Sequence, residues 1–182
     1  VEITQAIQTK RAVREFSQQP IPEEAVLAIL HAGRRAQSSK NTQPWWFLAI
    51  LDRQRLQSLS ELGTYASHLA TAALGVAILT PDPAARWSIL FDAGQAAAYM
   101  QLAAWGMGIG SCLVTLHNPE PARQLLGFPE DVHARMAISF GYPADPSQID
   151  RPPRPGGRKA FQEKVFFDRW PEAQAPSPSA PR

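Results

Sequence analysis

The feature that most constrains the fold is the polar segment from Ser38 to Gln43, which runs directly into an apolar segment beginning at Pro44. The polar half is rich in hydroxyl and amide groups, which both donate and accept hydrogen bonds. Proline disfavours helix at the residue before it, so Gln43 is expected to be extended. The aromatic and aliphatic residues from Trp45 to Leu51 then predict a strand. The junction fits two interpretations equally: a polar loop that holds a flat ligand with polar edges, or an ordinary turn before a strand.

The size of the chain predicts one domain. Its 182 residues are 45% hydrophobic, enough for one well-filled core and too few for two. We predict a single domain over residues 1–170 and a disordered tail, rich in Pro, Ala and Ser, over 171–182. Net charge is +2, and the basic residues are scattered except at 151–159. This pattern favours a solvated surface over a nucleic-acid interface.

Cysteine and histidine usage argues against disulfides and metal sites. Cys112 is the single cysteine, so no intrachain disulfide can form, and its apolar neighbours predict a core residue. No metal-ligand spacing connects the histidines, which are predicted to be surface or capping residues: His31, His68, His117 and His133. No signal segment opens the sequence and no apolar run reaches membrane-spanning length. We therefore expect a soluble, cytoplasmic protein that contacts neither nucleic acid nor membrane.

Three cations stand close together near the start of the sequence, at Lys10, Arg11 and Arg14. In an extended segment Lys10, Ala12 and Arg14 would share one face. Two cations that project together can bind a phosphate or an anionic ring. The alternative is a solvated charged segment, and on these residues alone that alternative is favoured.

Apolar residues at helical spacing predict three helices in the first third of the chain. The first is a short helix around Ile3. The second begins at Pro22, followed by two glutamates that suit the positive end of the helix dipole, and it buries a stripe that ends at Gly33. The third is capped by Asp52 and closed by Gly63. Gly33 is expected to let a neighbour pack closely.

The remaining elements are predicted from apolar runs and from the breakers between them. Strands are predicted at 74–80, 111–116 and 135–142, and helices at 86–107 and 119–126. The 86–107 helix is apolar on most faces, so it is buried in a core or between subunits, and we predict that it helps form a homodimer. The glycine cluster at 106–110 follows a helix and precedes a strand, the reverse of a dinucleotide-binding loop. Residues 144–157 are predicted to be an extended arm and 165–167 an edge strand.

Three separated segments together resemble the nitroreductase family of FMN-dependent oxidoreductases, over about residues 4–170. They are the cations at 10–14, the polar stretch at 38–45, and the glycine cluster at 106–111 followed by 141–143. The resemblance implies an α+β, three-layer fold with a mostly antiparallel central sheet flanked by helices. It also implies a homodimer with two FMN sites at the interface and a C-terminal arm extended onto the partner subunit.

The resemblance assigns cofactor contacts to particular positions. They are Lys10, Arg11, Ala12, Arg14, Ser38, Ser39, Asn41, Gln43, Leu113, Val114, Thr115 and Arg158. Lys10 and Arg11 would meet the phosphate and ribityl chain, and Arg14 the pyrimidine edge of the ring. The polar residues at 38–43 would contact the same flavin from the other subunit. The strand end at 113–115 would lie beside the ring, and Arg158 would return to the phosphate.

The family often has Arg where Lys10 stands, Ser where Ala12 stands and Pro where Gln37 stands. Lys10 keeps the charge without the bidentate fork. Ala12 keeps its backbone N–H.

The activity implied by the resemblance is a ping-pong transfer of hydride from NADH or NADPH, through FMN, to an electron-poor acceptor such as a nitroaromatic or a quinone. Arg14 would stabilise negative charge on the reduced ring, and no catalytic triad is expected. Trp45 and Trp46 are interpreted as core residues, and Tyr65 and Trp87 as covering the acceptor pocket. The alternatives are another flavin enzyme on the same scaffold, such as a dehalogenase or enoate reductase, and a non-catalytic flavin-binding dimer.

Overall fold

The computed structural model of the chain describes residues 2–117, 119–152 and 157–171. The chain divides into two compact units, residues 1–151 and 152–182. The helices and strands of the first unit are, in chain order, α1 (Ile3–Thr9), α2 (Glu23–Arg34), β1 (Trp46–Ile50), α3 (Arg53–Ser60), β2 (Leu74–Thr80), α4 (Ser88–Gly106), β3 (Gly110–Thr115), α5 (Pro119–Leu126), β4 (His133–Gly141) and α6 (Ser147–Asp150). Short 3-10 turns lie at Ser39–Asn41 and Ser67–Leu69.

The strands form one four-stranded sheet in the order β1-β2-β4-β3, and every neighbouring pair is antiparallel. Both β2 and β3 run antiparallel to β4, which lies between them, so α4 is the crossover that connects two parallel strands. All residues of β2 are buried. A strand covered by helices on both faces has a continuous run of apolar residues, so the limits of β2 could be predicted from the sequence.

Helices cover both faces of the sheet. On one face α2 and α4 pack on alternate residues of β2, including Val76 and Ile78. On the other face Ala77 and Leu79 pack with α3 and α5 through residues such as Leu56. The predicted α+β, three-layer fold with a mostly antiparallel sheet is therefore confirmed.

Glycines permit two close approaches that organise the first unit. A Cβ atom on Gly33 would lie 2.8 Å from Met100 Cγ, so α2 packs tightly on α4 as predicted. Gly110 and Gly141 are paired across β3 and β4. A Cβ atom on Gly110 would lie 2.7 Å from Val13 Cβ, and one on Gly141 would lie 2.8 Å from Phe16. The segment that carries the N-terminal cations therefore crosses the sheet corner where side chains are absent.

The local signals at helix ends were mostly correct. Asp52 caps α3, because its Oδ1 accepts the N–H of Arg55 at 2.8 Å. Gly127, with φ of 73°, follows α5. The predicted closure of α3 by Gly63 is wrong, because α3 ends at Ser60. The N–H groups of Glu61 and Leu62 already donate to carbonyl groups in the last turn of the helix.

The described part of the predicted arm is not extended throughout. The extended arm over 144–157 is interrupted by α6, because Asp145 Oδ1 accepts the N–H of Ser147 at 3.0 Å and nucleates a turn there. Residues 153–156 and 172–182 lie outside the described residues, and they include nearly all of the predicted disordered tail.

In the second unit, the described residues hold one 3-10 turn, Phe161–Glu163, and no strand at 165–167. A strand requires a neighbouring strand for its hydrogen bonds. The prediction that the arm extends onto a partner subunit stays a prediction, as does that of one domain over 1–170.

Within the described residues, no helix combines the length and the apolar character needed to cross a bilayer.

Candidate functional site

The cationic segment, residues 10–14, lies extended beside β3. Ala12 forms a parallel bridge with Ser111, and the N–H of Val13 donates to Ser111 O at 3.0 Å. Val13 is fully buried, whereas its neighbours Ala12 and Arg14 are exposed. This alternation is the one predicted for an extended segment, and it directs Arg14 away from the core.

Arg11 is held by backbone carbonyl groups. Its Nε donates to Thr9 O at 3.2 Å, and its Nη2 donates to Arg151 O. Arg151 is in turn paired with Asp145 at 2.8 Å. The guanidinium of Arg11 is therefore fixed at the end of α1, beside Lys10, which is the C-cap of that helix.

A buried polar chain lies against the inner side of β3. The ring of His68 is 4% exposed, and its Nδ1 lies 2.7 Å from Ser139 Oγ. The Ser139 hydroxyl donates to Cys112 O at 3.3 Å. A hydroxyl has one proton to give, so this pattern assigns the His68 proton to Nδ1. Burial, and then the charge of Arg14, lower the pKa of His68.

The prediction that His68 is a surface or capping residue is therefore wrong. Its ring is satisfied by Ser139 on β4, a residue distant in the sequence. Local sequence carries no sign of such a contact.

Cys112, on β3, lies close enough to the cationic segment for its charges to act on the thiol. Burial raises the pKa of the Cys112 thiol, and the charges of Arg14 and Lys10 oppose that rise. The residue is 3% exposed, so the predicted core location is confirmed. Both cations thus lie within electrostatic reach of β3.

The end of β3 supplies the neighbouring surface. Leu113 and Thr115 are exposed, whereas Val114 packs in the core. The structure therefore brings Lys10 and Arg14 to the same edge of the sheet as 113–115. Of the three strand residues, Val114 can offer only its backbone to a ligand.

The 38–43 loop is strained. Lys40, Asn41 and Gln43 all have left-handed backbones, with φ of 53°, 54° and 47°. For residues other than glycine that conformation costs about 1–2 kcal/mol each. Strain of this kind persists only where the surroundings enforce it, and it concentrates at functional sites.

The predicted extended backbone at Gln43 is wrong. Its N–H donates to Ser38 Oγ at 2.9 Å, and its Nε2 donates to Asn41 Oδ1 at 3.3 Å. These contacts outweigh the local preference imposed by Pro44. Ser38, Ser39, Asn41 and Gln43 thus lie together in one turn, and their contact with a flavin stays a prediction.

Two residues that sequence reasoning did not select fix this loop to α4. The N–H of Ser39 donates to both carboxylate oxygens of Asp92 at 3.2 Å, and Arg86 Nη2 donates to Thr42 Oγ1 at 2.7 Å. Asp92 is 2% exposed. A carboxylate within a helix that is otherwise apolar is a signal that could have identified it.

Within one chain the cationic segment and the 38–43 loop do not meet. Asp92 holds the loop near the start of α4, whereas Trp105 Nε1 donates to Thr9 Oγ1 near its end, at 3.0 Å. From residue 92 to residue 105 a helix rises about 20 Å. The loop also enters β1, at the opposite edge of the sheet from β3.

The surface of α4 that is not covered by the chain is apolar. Trp87 is 81% and Phe91 63% exposed, and their rings lie 6.3 Å apart. Leu90 and Tyr99 extend this surface along the helix. Exposed apolar surface of this extent marks a protein contact or a ligand site.

The remaining predicted residues are distributed as follows. Trp45 is buried and stacks on Phe47, but Trp46 is exposed, so its predicted core location is wrong. Trp46 shares one face of β1 with Leu48 and Ile50, which pack in the core, but it is the first residue of the strand and stays exposed there. Arg158 lies in the second unit, where its Nη1 donates to Gly157 O at 3.0 Å. The described ranges contain no group of three or more His, Cys, Asp or Glu side chains placed to hold a metal.

Comparison with known proteins identifies close likenesses. A sequence model of the Nitroreductase family matches residues 7–75 and 54–142. An Archaeoglobus fulgidus protein, provisionally named NADH dehydrogenase/NAD(P)H nitroreductase, is 33% identical over 153 residues, covering 79% of this chain and 87% of that protein. The FMN reductase [NAD(P)H] of Bacillus subtilis is 23% identical over 168 residues, covering 80% of this chain and 68% of that protein.

Among solved structures, the FMN-dependent nitroreductase of Clostridium difficile has a TM-score of 0.81 and 25% identity. The match covers 92% of this chain and 99% of that one.

Proposed function

The chain belongs to the nitroreductase family, and from that premise we propose that it is a homodimeric oxidoreductase that passes a hydride from NADH or NADPH, by way of FMN, to an electron-poor acceptor. We propose nitroaromatic compounds or quinones as that acceptor, and a ping-pong order of events. NAD(P)H stands in the names of both sequence relatives, and FMN stands in the names of the Bacillus subtilis reductase and the Clostridium difficile nitroreductase. The acceptor and the order of events are this proposal. The cytoplasmic location expected from the sequence stays a prediction.

One observation carries the proposal: the two polar halves of the site lie about 20 Å apart on one chain. One half is cationic and adjoins the exposed end of β3. The other half is a strained turn that presents Ser39 and Asn41. One FMN that touches both halves must lie between two chains.

The side chains of the cationic segment and the exposed end of β3 fit FMN. Lys10 and Arg11 provide positive charge suited to a phosphate, and Arg14 provides a planar fork suited to the polar edge of a ring. Leu113 presents an exposed apolar side chain beside them, suited to a flat aromatic surface. In the proposed site Lys10 and Arg11 bind the phosphate and ribityl chain, and Arg14 binds the pyrimidine edge.

When bound, FMN supplies the two-electron chemistry of the reaction. The role of this chain is to hold charge where it is needed. Arg14 is exposed in one chain, and a partner that covers it excludes water and strengthens its interaction with negative charge by about fourfold, the ratio of effective dielectric constants of about 80 and 20. No acid–base side chain is required, because protons can come from water.

The apolar surface of α4 supports the proposed dimer. Trp87, Leu90 and Phe91 expose ring and aliphatic surface beside the 38–43 loop, to which Arg86 is hydrogen-bonded. Ile3 and Ile7 expose the outer face of α1, which packs on the other end of α4. A contact over both helices brings the loop of one chain towards the cationic segment of the other.

The test is to purify the protein, reconstitute it with FMN and mix it with NADH or NADPH without oxygen. We expect a yellow protein whose visible flavin absorbance disappears on mixing and returns when a quinone or nitroaromatic is added. A ping-pong order predicts parallel lines in double-reciprocal plots against the two substrates. Failure to bind FMN, or failure to oxidise NADH or NADPH with every acceptor, would refute the proposal. Bound flavin that neither nucleotide reduces would instead identify a flavin-binding dimer.

A further inference from the structure

We propose that Asp92 is a positioning residue that holds the 38–43 loop in its strained, ligand-presenting shape, and that Arg86 completes the same support. The contact itself is independent of the ligand, whereas its consequence for FMN binding rests on the proposed function. Neither residue is expected to touch FMN in this proposal.

Asp92 is a buried carboxylate. Its side chain is 2% exposed, on a helix whose other inward residues are mostly alanine and larger apolar residues. A buried carboxylate is costly unless it is paired and hydrogen-bonded. Its two oxygens accept one and the same loop N–H, that of Ser39, at 3.2 Å each. The carboxylate therefore acts on the loop rather than on the core.

The contacts around Asp92 close into a ring. Arg86 Nη2 lies 4.0 Å from Asp92 Oδ2 and 2.7 Å from Thr42 Oγ1. The Thr42 hydroxyl donates to Ser39 O at 3.0 Å, and the N–H of Ser39 returns to Asp92. The loop is thus held at Ser39 and at Thr42, on both sides of the left-handed pair.

The backbone between the two held points is strained. Lys40 and Asn41, between the two held points, have φ of 53° and 54°. Side chains other than glycine leave that region when they are free to do so. Loss of the support at Asp92 therefore lets the backbone relax and turns Asn41 and Ser39 away from the ligand. Arg86 Nε is buried without a partner among the described residues. A buried donor without a partner lowers the free energy of unfolding, so we infer that these contacts position the loop rather than stabilise the fold.

The experiment compares Asp92→Ala and Asp92→Asn with Asp52→Ala, a matched control. Asp52 also accepts a backbone N–H, that of Arg55 at 2.8 Å, but it caps α3 away from the loop. The first readout is amide hydrogen exchange of the 38–43 loop in FMN-free protein, with β2 as the internal reference. The second is the dissociation constant for FMN, measured by quenching of its fluorescence.

For Asp92→Ala we expect loop amides to exchange about tenfold faster or more, and FMN to bind about tenfold more weakly, with β2 protection unchanged. Asp92→Asn keeps one acceptor oxygen and should show about a third of each logarithmic effect. Asp52→Ala should lower the thermal midpoint and leave both loop readouts unchanged. Thr42→Val, which removes the hydroxyl at nearly constant shape, should give about a threefold change in each readout, so the test survives if Asp92→Ala does not fold.

Loop exchange that is unchanged in Asp92→Asn and Thr42→Val would overturn the inference. So would weaker FMN binding without faster loop exchange, because the carboxylate would then act by another route. If the unaltered protein binds no FMN, the proposed function fails by itself, and the exchange comparison alone decides whether Asp92 positions the loop.

Discussion

Asp92 and Trp105 lie near opposite ends of α4, and each holds one half of the candidate cofactor site. Asp92 accepts the Ser39 N–H of the 38–43 loop, and Trp105 donates to Thr9, the residue before the cationic segment. The length of α4 between these two residues thus separates the two halves by about 20 Å. In the proposed site, one chain therefore cannot supply both halves to the same FMN.

The first prediction concerns the exposed face of α4. Phe91→Glu should convert a dimer to monomers, weakening association by about tenfold or more, because it places a charge in an apolar contact. The ring is 63% exposed in one chain, so the stability of the monomer should change little. Phe91→Leu is the matched control and should keep the dimer. Sedimentation equilibrium measures both. A Phe91→Glu variant with the dimeric mass would show that the interface lies elsewhere.

The second prediction concerns Arg14. Arg14→Ala should weaken FMN binding by about tenfold to hundredfold, because a charge-assisted hydrogen bond is worth about 1.5–3 kcal/mol. It should also lower the flavin reduction potential, since positive charge favours the reduced, anionic ring. Arg14→Lys keeps the charge without the fork and should be intermediate.

Arg55→Ala is the control for Arg14, because Arg55 is an exposed arginine on α3. Fluorescence titration and spectroelectrochemistry give the two quantities. Equal FMN affinities in Arg14→Ala and Arg55→Ala would remove Arg14 from the site.

Elements with strong local signals were predictable from the sequence. The limits of β2 and α5 match the structure, because a continuous apolar run bounded by proline and an amphipathic run closed by Gly127 each carry their own ends. Asp52 was identified because a helix cap is a local hydrogen bond. The extended cationic segment also followed from residues close in sequence.

Features that depend on distant partners were not predictable. His68 can be buried because Ser139, on β4, accepts a hydrogen bond from its ring. Gln43 is left-handed because Ser38 and Asn41 outweigh the effect of Pro44. Asp92 and Arg86 matter through contacts with a loop far along the chain. The periodicity of charge or hydropathy does not predict contacts between residues far apart in the sequence. The overall fold was predicted instead from the resemblance of three motifs to a known family.

The third prediction concerns the glycine corner beneath the cationic segment. Gly110→Ala should lower the free energy of unfolding by about 1–3 kcal/mol, because its new Cβ would lie 2.7 Å from Val13 Cβ. Displacing Val13 should also move Arg14 and weaken FMN binding. Gly106→Ala is the control, since nothing lies within 4 Å of a Cβ there, and it should be neutral or slightly stabilising. Urea denaturation compares the two. A Gly110→Ala protein as stable as Gly106→Ala would contradict the close approach.

The fourth prediction concerns the pH dependence that His68 introduces. Burial, and then Arg14, lower the pKa of His68 below its ordinary value of 6.5. As pH falls below 6.5, the unfolded chain therefore binds a proton that the folded protein refuses. The free energy of unfolding should then fall, by up to about 1.4 kcal/mol per pH unit for one proton, until the folded pKa is reached. Above pH 6.5 both states are neutral at this residue and the effect vanishes.

Urea denaturation between about pH 5 and pH 8 measures this effect as the difference between the unaltered protein and His68→Asn, which can still donate to Ser139. The carboxylates titrate in both proteins, so their contribution cancels in that difference. Arg14→Ala supplies an independent check, because removing its charge should raise the folded pKa of His68 and shrink the acid-sensitive window. If His68→Asn loses stability at acid pH as steeply as the unaltered protein, folding does not lower the pKa of His68.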